Sequence, residues 1–452
     1  MQAICLLVGV ALAGQSSVPA PSRLHAIVDA RVEVGDGTVL ERATVVVQDG
    51  YIVAVAPDAA VPKGAEVLPG KGLTVYPGFI DAYTTRGVKT PPAQPNQDDA
   101  PPSSEVADAA MREANRKQVR PELEARMHLD LSEAVRKPYL EAGFTTIMAV
   151  PEGNGIKGQG TLVNLSGRAP RESVVIPKTG LAVAFGPSQG SDVTYPVSLL
   201  GSIAQFRQAI LDANLHAAAS VNRLRPPSDP TLEALAQATK RRFFVEADST
   251  AEIDRANRLA KELNLRATLV GTLQAWRRLD AFRTTSLILG LEPGTEPKAP
   301  ETPKESESDR QDDPGNDPDD STRLGERVRY HREALANPGV LAKAGVPFAL
   351  TTRGAKDVPA FVANLRRAVA QGLPRAAALR ALTTDAAALY GQERLFGKVQ
   401  PGMAANVAVM TGDFLDEKTK VKMLYIDGWR IDPAARPTTP AAPQPQGRKE
   451  LR

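Results

Sequence analysis

Between Gly143 and Gly391 the chain alternates strand-like and helix-like runs, and no other feature constrains its fold as tightly. The strand candidates are TTIMAV (145–150), GLAVAFG (180–186), RFFVEA (242–247), LRATLVG (265–271), TSLILGL (285–291) and PFALTT (347–352). Helix-like runs at 202–220, 250–263, 337–345, 358–371 and 374–390 lie between them. Parallel strands need a long crossover, and a helix supplies it, so this order predicts a parallel sheet covered by helices. At 452 residues a (β/α)8 barrel is the leading architecture. A doubly wound open sheet is the alternative.

A different pattern flanks this core. From Leu24 to Val75 apolar and polar residues alternate through HAIVDARVEV, VGDGTVL and ATVVVQDGYIVAVAP. Asp36-Gly37 and Asp49-Gly50 are hairpin turn signals, because Gly tolerates positive φ. The β pattern returns after Gly391 in FGKVQPGMAANVAVMTG and KVKMLYIDGWRI. One discontinuous β-sandwich, built from 22–76 and 391–431, is therefore expected, with the barrel (77–390) inserted between its halves. Residues 88–106 read as a Pro-rich loop, and 107–142 as helical with a break near Pro121. Residues 293–322 are low complexity. Their 301–320 stretch has nine acidic and two basic residues, a net of −7 in a chain whose formal charge is +3. Such a tract cannot bury a core and reads as a disordered acidic insertion, and the tail 432–452, with its Pro, Ala and Gln, reads as unstructured.

The N-terminus bounds the compartment. The apolar run Ala3–Ala13 is too short to span a bilayer, and Ala11-Leu12-Ala13 fits a small-residue cleavage site. Residues 1–20 read as a secretory signal peptide, which implies an extracytoplasmic protein, periplasmic or secreted, with no membrane span after cleavage. The segment has no Lys or Arg, so an apolar tail or a misplaced start is the competing reading. Cys5, the one cysteine, lies inside it. The mature chain would then hold no disulfide, zinc-thiolate site or cysteine nucleophile. Charged residues make up 24%, without an aromatic-interleaved basic patch, so nucleic acid is not an expected partner.

Four long segments, in order, resemble the amidohydrolase superfamily, and within it the imidazolonepropionase-like amidohydrolases. GLTVYPGFIDAYTT (72–85) is similar to the stretch in which the family writes P-G-x-I-D-x-H-x-H. AGFTTIMAVPEGNGIKGQGTLVNLSG (142–167) and NPGVLAKAGVPFALTT (337–352) have counterparts there. So does the closing segment 378–429, with its GKVQPGMAANVAV. The resemblance covers nearly all of the mature chain. It implies a TIM-like barrel with a composite sandwich, and metal-dependent hydrolysis of non-peptide or cyclic C–N bonds. In that chemistry Zn or another divalent metal lowers the pKa of bound water and polarises the carbonyl.

The ligands that the resemblance calls for are imidazoles and carboxylates. Carried over by position, the strand-1 histidine pair falls on Tyr83 and Thr85, and the strand-5 histidine region on Glu246 and Asp248. The strand-6 histidine falls near Val270, and the strand-8 aspartate on Arg353. A guanidinium opposes a metal and cannot serve as a base. The strand-4 ligand has no clear counterpart. The chain's four histidines are His25, in the sandwich region, and His128, His216 and His331, in helix-like stretches away from strand ends. GNGIKGQGT (153–161) lacks the phosphate-loop spacing. It reads as a loop at the barrel mouth, with Lys157 and Gln159 as candidates to touch a ligand, or as a purely structural turn. Glu246 and Asp248, two apart on a strand, share a face and could meet Arg353.

The expectation is thus a member of the family that has lost its metal site, with no cofactor and no assigned catalytic residue. It would act as a non-catalytic homologue, binding a small molecule or a partner amidohydrolase, or assembling with itself. An active C–N hydrolase with an atypical site, and a solute-binding or scaffold protein, are the alternatives.

Overall fold

The structure, a computed structural model, describes residues 23–91, 118–186, 196–221, 228–294, 297 and 318–435. The expected signal peptide, most of the 88–106 loop, most of the acidic insertion and the tail beyond Ala435 lie outside these residues.

Two eight-stranded sheets organise the described chain. The first begins with β1 (His25–Glu33), β2 (Val39–Gln48), β3 (Tyr51–Ala56), β4 (Glu66–Pro69) and β5 (Thr74–Pro77). The chain's last strands, β14 (Val407–Met410), β15 (Val421–Ile426) and β16 (Trp429–Ile431), complete it. The two ends join where β5 pairs antiparallel with β14, placing Val75 against Val409. Alternation puts Ile27, Val45, Ile52, Val75, Val407 and Tyr425 into one apolar core. Asp49-Gly50 turns β2 into β3 with positive φ at both residues.

The second sheet is the barrel. Its strands are β6 (Phe79–Thr84), β7 (Phe144–Ala149), β8 (Gly155–Asn164), β9 (Val174–Ala184), β10 (Arg242–Ala247), β11 (Arg266–Gly271), β12 (Ser286–Gly290) and β13 (Ala349–Thr351). They neighbour one another in chain order from β6 to β13. The α/β class and the TIM-like barrel expected from the sequence are what this sheet shows, with one strand reversed. β8 runs antiparallel to both β7 and β9, while the other strand pairs are parallel.

That reversal corrects the reading of 153–161 as a mouth loop. Only residues 151–154 turn, and Lys157 and Gln159 lie inside β8. The glycines permit another strand-like segment to lie against it. A Cβ on Gly155 would fall 2.3 Å from the Gln118 carbonyl, and one on Gly158 would fall 2.5 Å from that of Leu123. Residues 118–124 thus reach Ile156 and Gln159 through backbone hydrogen bonds. Bulges near Gly158 and Gly160 shift the alternation, which hides the strand from a period-two search.

Helices cover the barrel: α1 (Glu133–Glu141), α2 (Leu199–Val221), α3 (Pro230–Ala238), α4 (Thr250–Glu262), α5 (Pro318–Lys343), α6 (Val358–Ala370), α7 (Arg375–Leu382) and α8 (Thr384–Leu389). The α4 apolar stripe, Ile253, Ala256 and Leu259, is buried. Ser249 caps it, and Glu252 reaches back in a capping box. Two local expectations are corrected. Within 118–142, the described part of 107–142, the one α-helix is α1; 118–124 is non-helical because its backbone pairs with β8, and a 3-10 turn, Ala125–Met127, follows it. α5 begins at Pro318, inside the span read as insertion, since Pro suits a helix's first turn.

Candidate functional site

At the barrel mouth, three side chains, from β6, from the start of the reversed β8 and from just past β13, converge on one carboxylate of β10. Glu246, on β10, accepts a hydrogen bond at Oε1 from the Tyr83 hydroxyl of β6 at 2.8 Å. The same oxygen receives Lys157 Nζ from β8 at 2.5 Å. Its Oε2 takes Arg353 Nη2 at 2.8 Å. Arg353, just past β13, also places Nη1 3.2 Å from each oxygen of Asp248. Two cations and two anions therefore close on themselves, with a phenol as a fifth member.

Local structure fixes each arm. Glu246 and Asp248 point the same way because they are two apart in extended chain. The Asp248 backbone is held from behind, its N–H donating to Glu252 Oε2 of the α4 cap at 2.9 Å. The bulge after Ile156 turns Lys157 toward Glu246. Gly271 makes room for the pair: a Cβ there would lie 1.9 Å from Asp248 Oδ1 and 2.7 Å from Arg353 Nη1.

Burial sets the electrostatics. The side chain of Lys157 is 4% exposed and that of Glu246 14%, against 38% for Asp248. Burial alone would raise the Glu246 pKa, but Lys157, Arg353 and the Tyr83 hydroxyl outweigh it and hold the carboxyl below its ordinary value. For Asp248 burial wins over Arg353, and its pKa is raised. Burial also drives the Tyr83 hydroxyl upward, with the Glu246 charge adding to it. Loss of solvent works against the Arg353 charge, yet its two carboxylates raise its pKa.

The remaining candidates fall elsewhere. Thr85 lies just beyond β6, half-buried, and makes none of these contacts among the described residues. Val270 is no cavity wall. It pairs in register with Glu246 and is fully buried with Phe244, Ile288 and Tyr83 in the apolar filling of the barrel. Gln159 is buried in β8, and its amide donates to the Pro121 carbonyl at 2.8 Å, tying down segment 118–124. His25 packs in the sandwich against Tyr425, and His216 and His331 lie on α2 and α5. His128 ends a short 3-10 turn rather than lying in a helix. Asp81, Gly271 and Thr352 are structural members of the mouth that the sequence reading missed. Asp81 and Gly271 stand inside or beside motifs already quoted, which is the signal that could have found them.

The donor set does not fit a divalent metal. Both carboxylates already hold cations, Tyr83 donates its proton, and no imidazole faces them. Among the described residues no group of three or more His, Cys, Asp or Glu could hold an ion. Chemically the arrangement is a neutral, internally satisfied ion cluster.

Comparison with known proteins fits this architecture. The family model described as "Amidohydrolase family" matches residues 213–430. An amidohydrolase from Thermotoga maritima MSB8 has the same fold, with a TM-score of 0.71 at 19% identity, covering 90% of this chain and 99% of that one. A putative prolidase from Bifidobacterium longum aligns with a TM-score of 0.53 at 18% identity, over 91% of this chain and 95% of the other. In sequence, a dihydroorotase of Mycobacterium tuberculosis is 43% identical over 44 residues. That match spans 10% of this chain and 10% of the dihydroorotase. Residues 213–430 match the amidohydrolase family, and the barrel-plus-sandwich fold, shared with a solved amidohydrolase along nearly the whole described length, supports assignment of the chain to the amidohydrolase superfamily.

Proposed function

We propose that this protein is a non-catalytic amidohydrolase homologue, one that has given up metal-dependent hydrolysis and retains the barrel mouth as a recognition surface. One observation carries the reading: Lys157 and Arg353 occupy the carboxylates of Glu246 and Asp248 from inside the barrel. A metal would have to displace an ammonium and a guanidinium, the ammonium almost fully buried, before it met a carboxylate oxygen. The Arg at the position where the resemblance expects an aspartate removes the general base as well. Subgroup membership among the imidazolonepropionase-like amidohydrolases, and export from the cytoplasm, belong to the same proposal.

The surface left at the mouth favours a small polar ligand or a partner of similar fold. Asp248 is the member of the cluster most open to solvent. It can accept hydrogen bonds without breaking the Lys157–Glu246 pair beneath it. The test is elemental analysis of the purified protein, with zinc, manganese and iron offered in turn, beside assays on cyclic amides and N-acyl amino acids. The expected result is less than a tenth of an equivalent of retained metal and no turnover. One tightly held equivalent, or hydrolysis abolished by Glu246→Gln, would overturn the reading in favour of an active enzyme with an atypical site.

A further inference from the structure

The other end of the barrel carries a second arrangement of charge, independent of the mouth. β10, β11 and β12 begin with Arg242, Arg266 and Ser286. Together with the last turn of α4 these residues line a groove of about 740 Å³. Arg242 is half-buried and shares its strand face with Phe244, which packs inside the barrel. Its Nη1 donates to Thr268 Oγ1 at 2.8 Å and to Ser286 Oγ at 3.0 Å. Both partners are neutral. Among the described residues no carboxylate pairs with Arg242, and its Nε and Nη2 have no acceptor. Buried charges in folded proteins are paired or neutralised, so a guanidinium held this way lacks its anion. Burial lowers its pKa, and the nearby Arg266 adds to that, while the Tyr390 hydroxyl works the other way without offsetting them.

The surroundings agree. Lys261 and Arg266 line the same groove and form no ion pair among the described residues. The last turn of a helix favours a cation, which by itself accounts for Lys261 but not for Arg242. Of the groove's acids, Asp254 is already bound to Arg278, and Asp280 sits exposed at the rim. Asn257 accepts from Thr285 at 3.0 Å, which leaves its amide donor free to face a ligand.

We infer that this groove binds a small tetrahedral oxyanion, a phosphate or the phosphate group of a small ester, on Arg242. The open edge of a guanidinium presents two parallel N–H donors that match two phosphate oxygens. The Ser286 hydroxyl, the Asn257 amide, Lys261 and Arg266 supply donors for the others. A planar carboxylate would satisfy the fork alone.

Calorimetric titration of the full chain with inorganic phosphate tests this, with acetate at matched ionic strength as comparator. Saturable binding of one phosphate is expected, at least tenfold tighter than acetate. Arg242→Gln should weaken it at least tenfold, and Lys261→Ala at least threefold. Lys261 is exposed and unpaired among the described residues, so its variant keeps the experiment decisive if Arg242→Gln fails to fold. Glycerol phosphate separates the two sources: tighter binding than phosphate assigns the groove to an ester, equal or weaker binding to the free ion. No saturable phosphate binding, equal binding of acetate, or undiminished affinity in both variants would overturn the inference. None of these outcomes bears on the metal assay at the mouth.

Discussion

Asp81 and Thr352 hold the barrel's seam together through side chains, where no strand ladder joins β6 to β13. Asp81 Oδ2 accepts the Thr352 hydroxyl at 2.5 Å, and its Oδ1 accepts the Thr352 N–H at 3.1 Å. Tyr139, from α1, adds its hydroxyl to Asp81 at 3.1 Å. Arg86 ties the loop after β13 from outside, donating to the Ala355 carbonyl at 2.6 Å. Asp81 is fully buried, and burial raises its pKa despite these donors. The last strand is only three residues long, so a ladder could offer few bonds, and the side-chain clamp replaces it. Arg353 follows Thr352 directly, so the seam also positions the ion cluster.

Removing that hydroxyl gives a direct test. Thr352→Val keeps the shape and deletes one donor to a buried carboxyl, at a cost of about 1.5–3 kcal/mol. Urea denaturation of Thr352→Val, Asp81→Asn and the double variant should give a coupling of at least ~0.5 kcal/mol. Strict additivity would mean that the seam is held elsewhere.

Glu246→Gln should be the most damaging conservative change at the mouth. It leaves Lys157 and Arg353 with the Asp248 charge alone, and breaking a buried pair from one side costs about 3–5 kcal/mol. Lys157→Met added to Glu246→Gln should recover part of that loss, because it removes the stranded cation. A double variant less stable than Glu246→Gln, by equilibrium denaturation, would refute the cluster's energetic unity.

The same carboxylate gives a pH signature. Its pKa is held below the ordinary value of 4.5 in the folded chain. The unfolded chain therefore binds the proton first. The stability from this group is complete above pH 4.5, and is lost as pH falls from there through the depressed value. The stability gap between native protein and Glu246→Gln should accordingly narrow in acid below that point. A gap that stays constant from neutral pH into acid would contradict the assignment.

Much of this was legible in the residues. Apolar strand runs separated by helices specify a barrel whatever its chemistry, and Asp-Gly turns with strict alternation specify the flanking sheet. The positions of Tyr83, Glu246, Asp248 and Arg353 followed from a family resemblance that counts residues from strand ends. Lys157 escaped as a strand residue because glycines and bulges break the period-two signal. The ion pair it forms spans 89 residues of sequence, and no local pattern encodes a contact at that range. Arg242 escaped for a related reason. An arginine opening a strand reads as an exposed edge charge until three strands set it beside Thr268 and Ser286.

Gly271 links the fold to the cluster in a way a substitution can expose. Its φ is +95°, a conformation that L side chains rarely adopt, and the space of its absent Cβ is taken by Asp248 and Arg353. Gly271→Ala should cost at least ~1–3 kcal/mol through backbone strain, plus the displacement of the ion pair. The two contributions separate with Asp248→Ala. In that background the clash with Oδ1 is gone and only the strain and the milder contact with Arg353 remain, so Gly271→Ala should be distinctly less harmful there than in the native protein. An equal penalty in both backgrounds, by chemical denaturation, would show that the glycine serves the turn alone and not the carboxylate beside it.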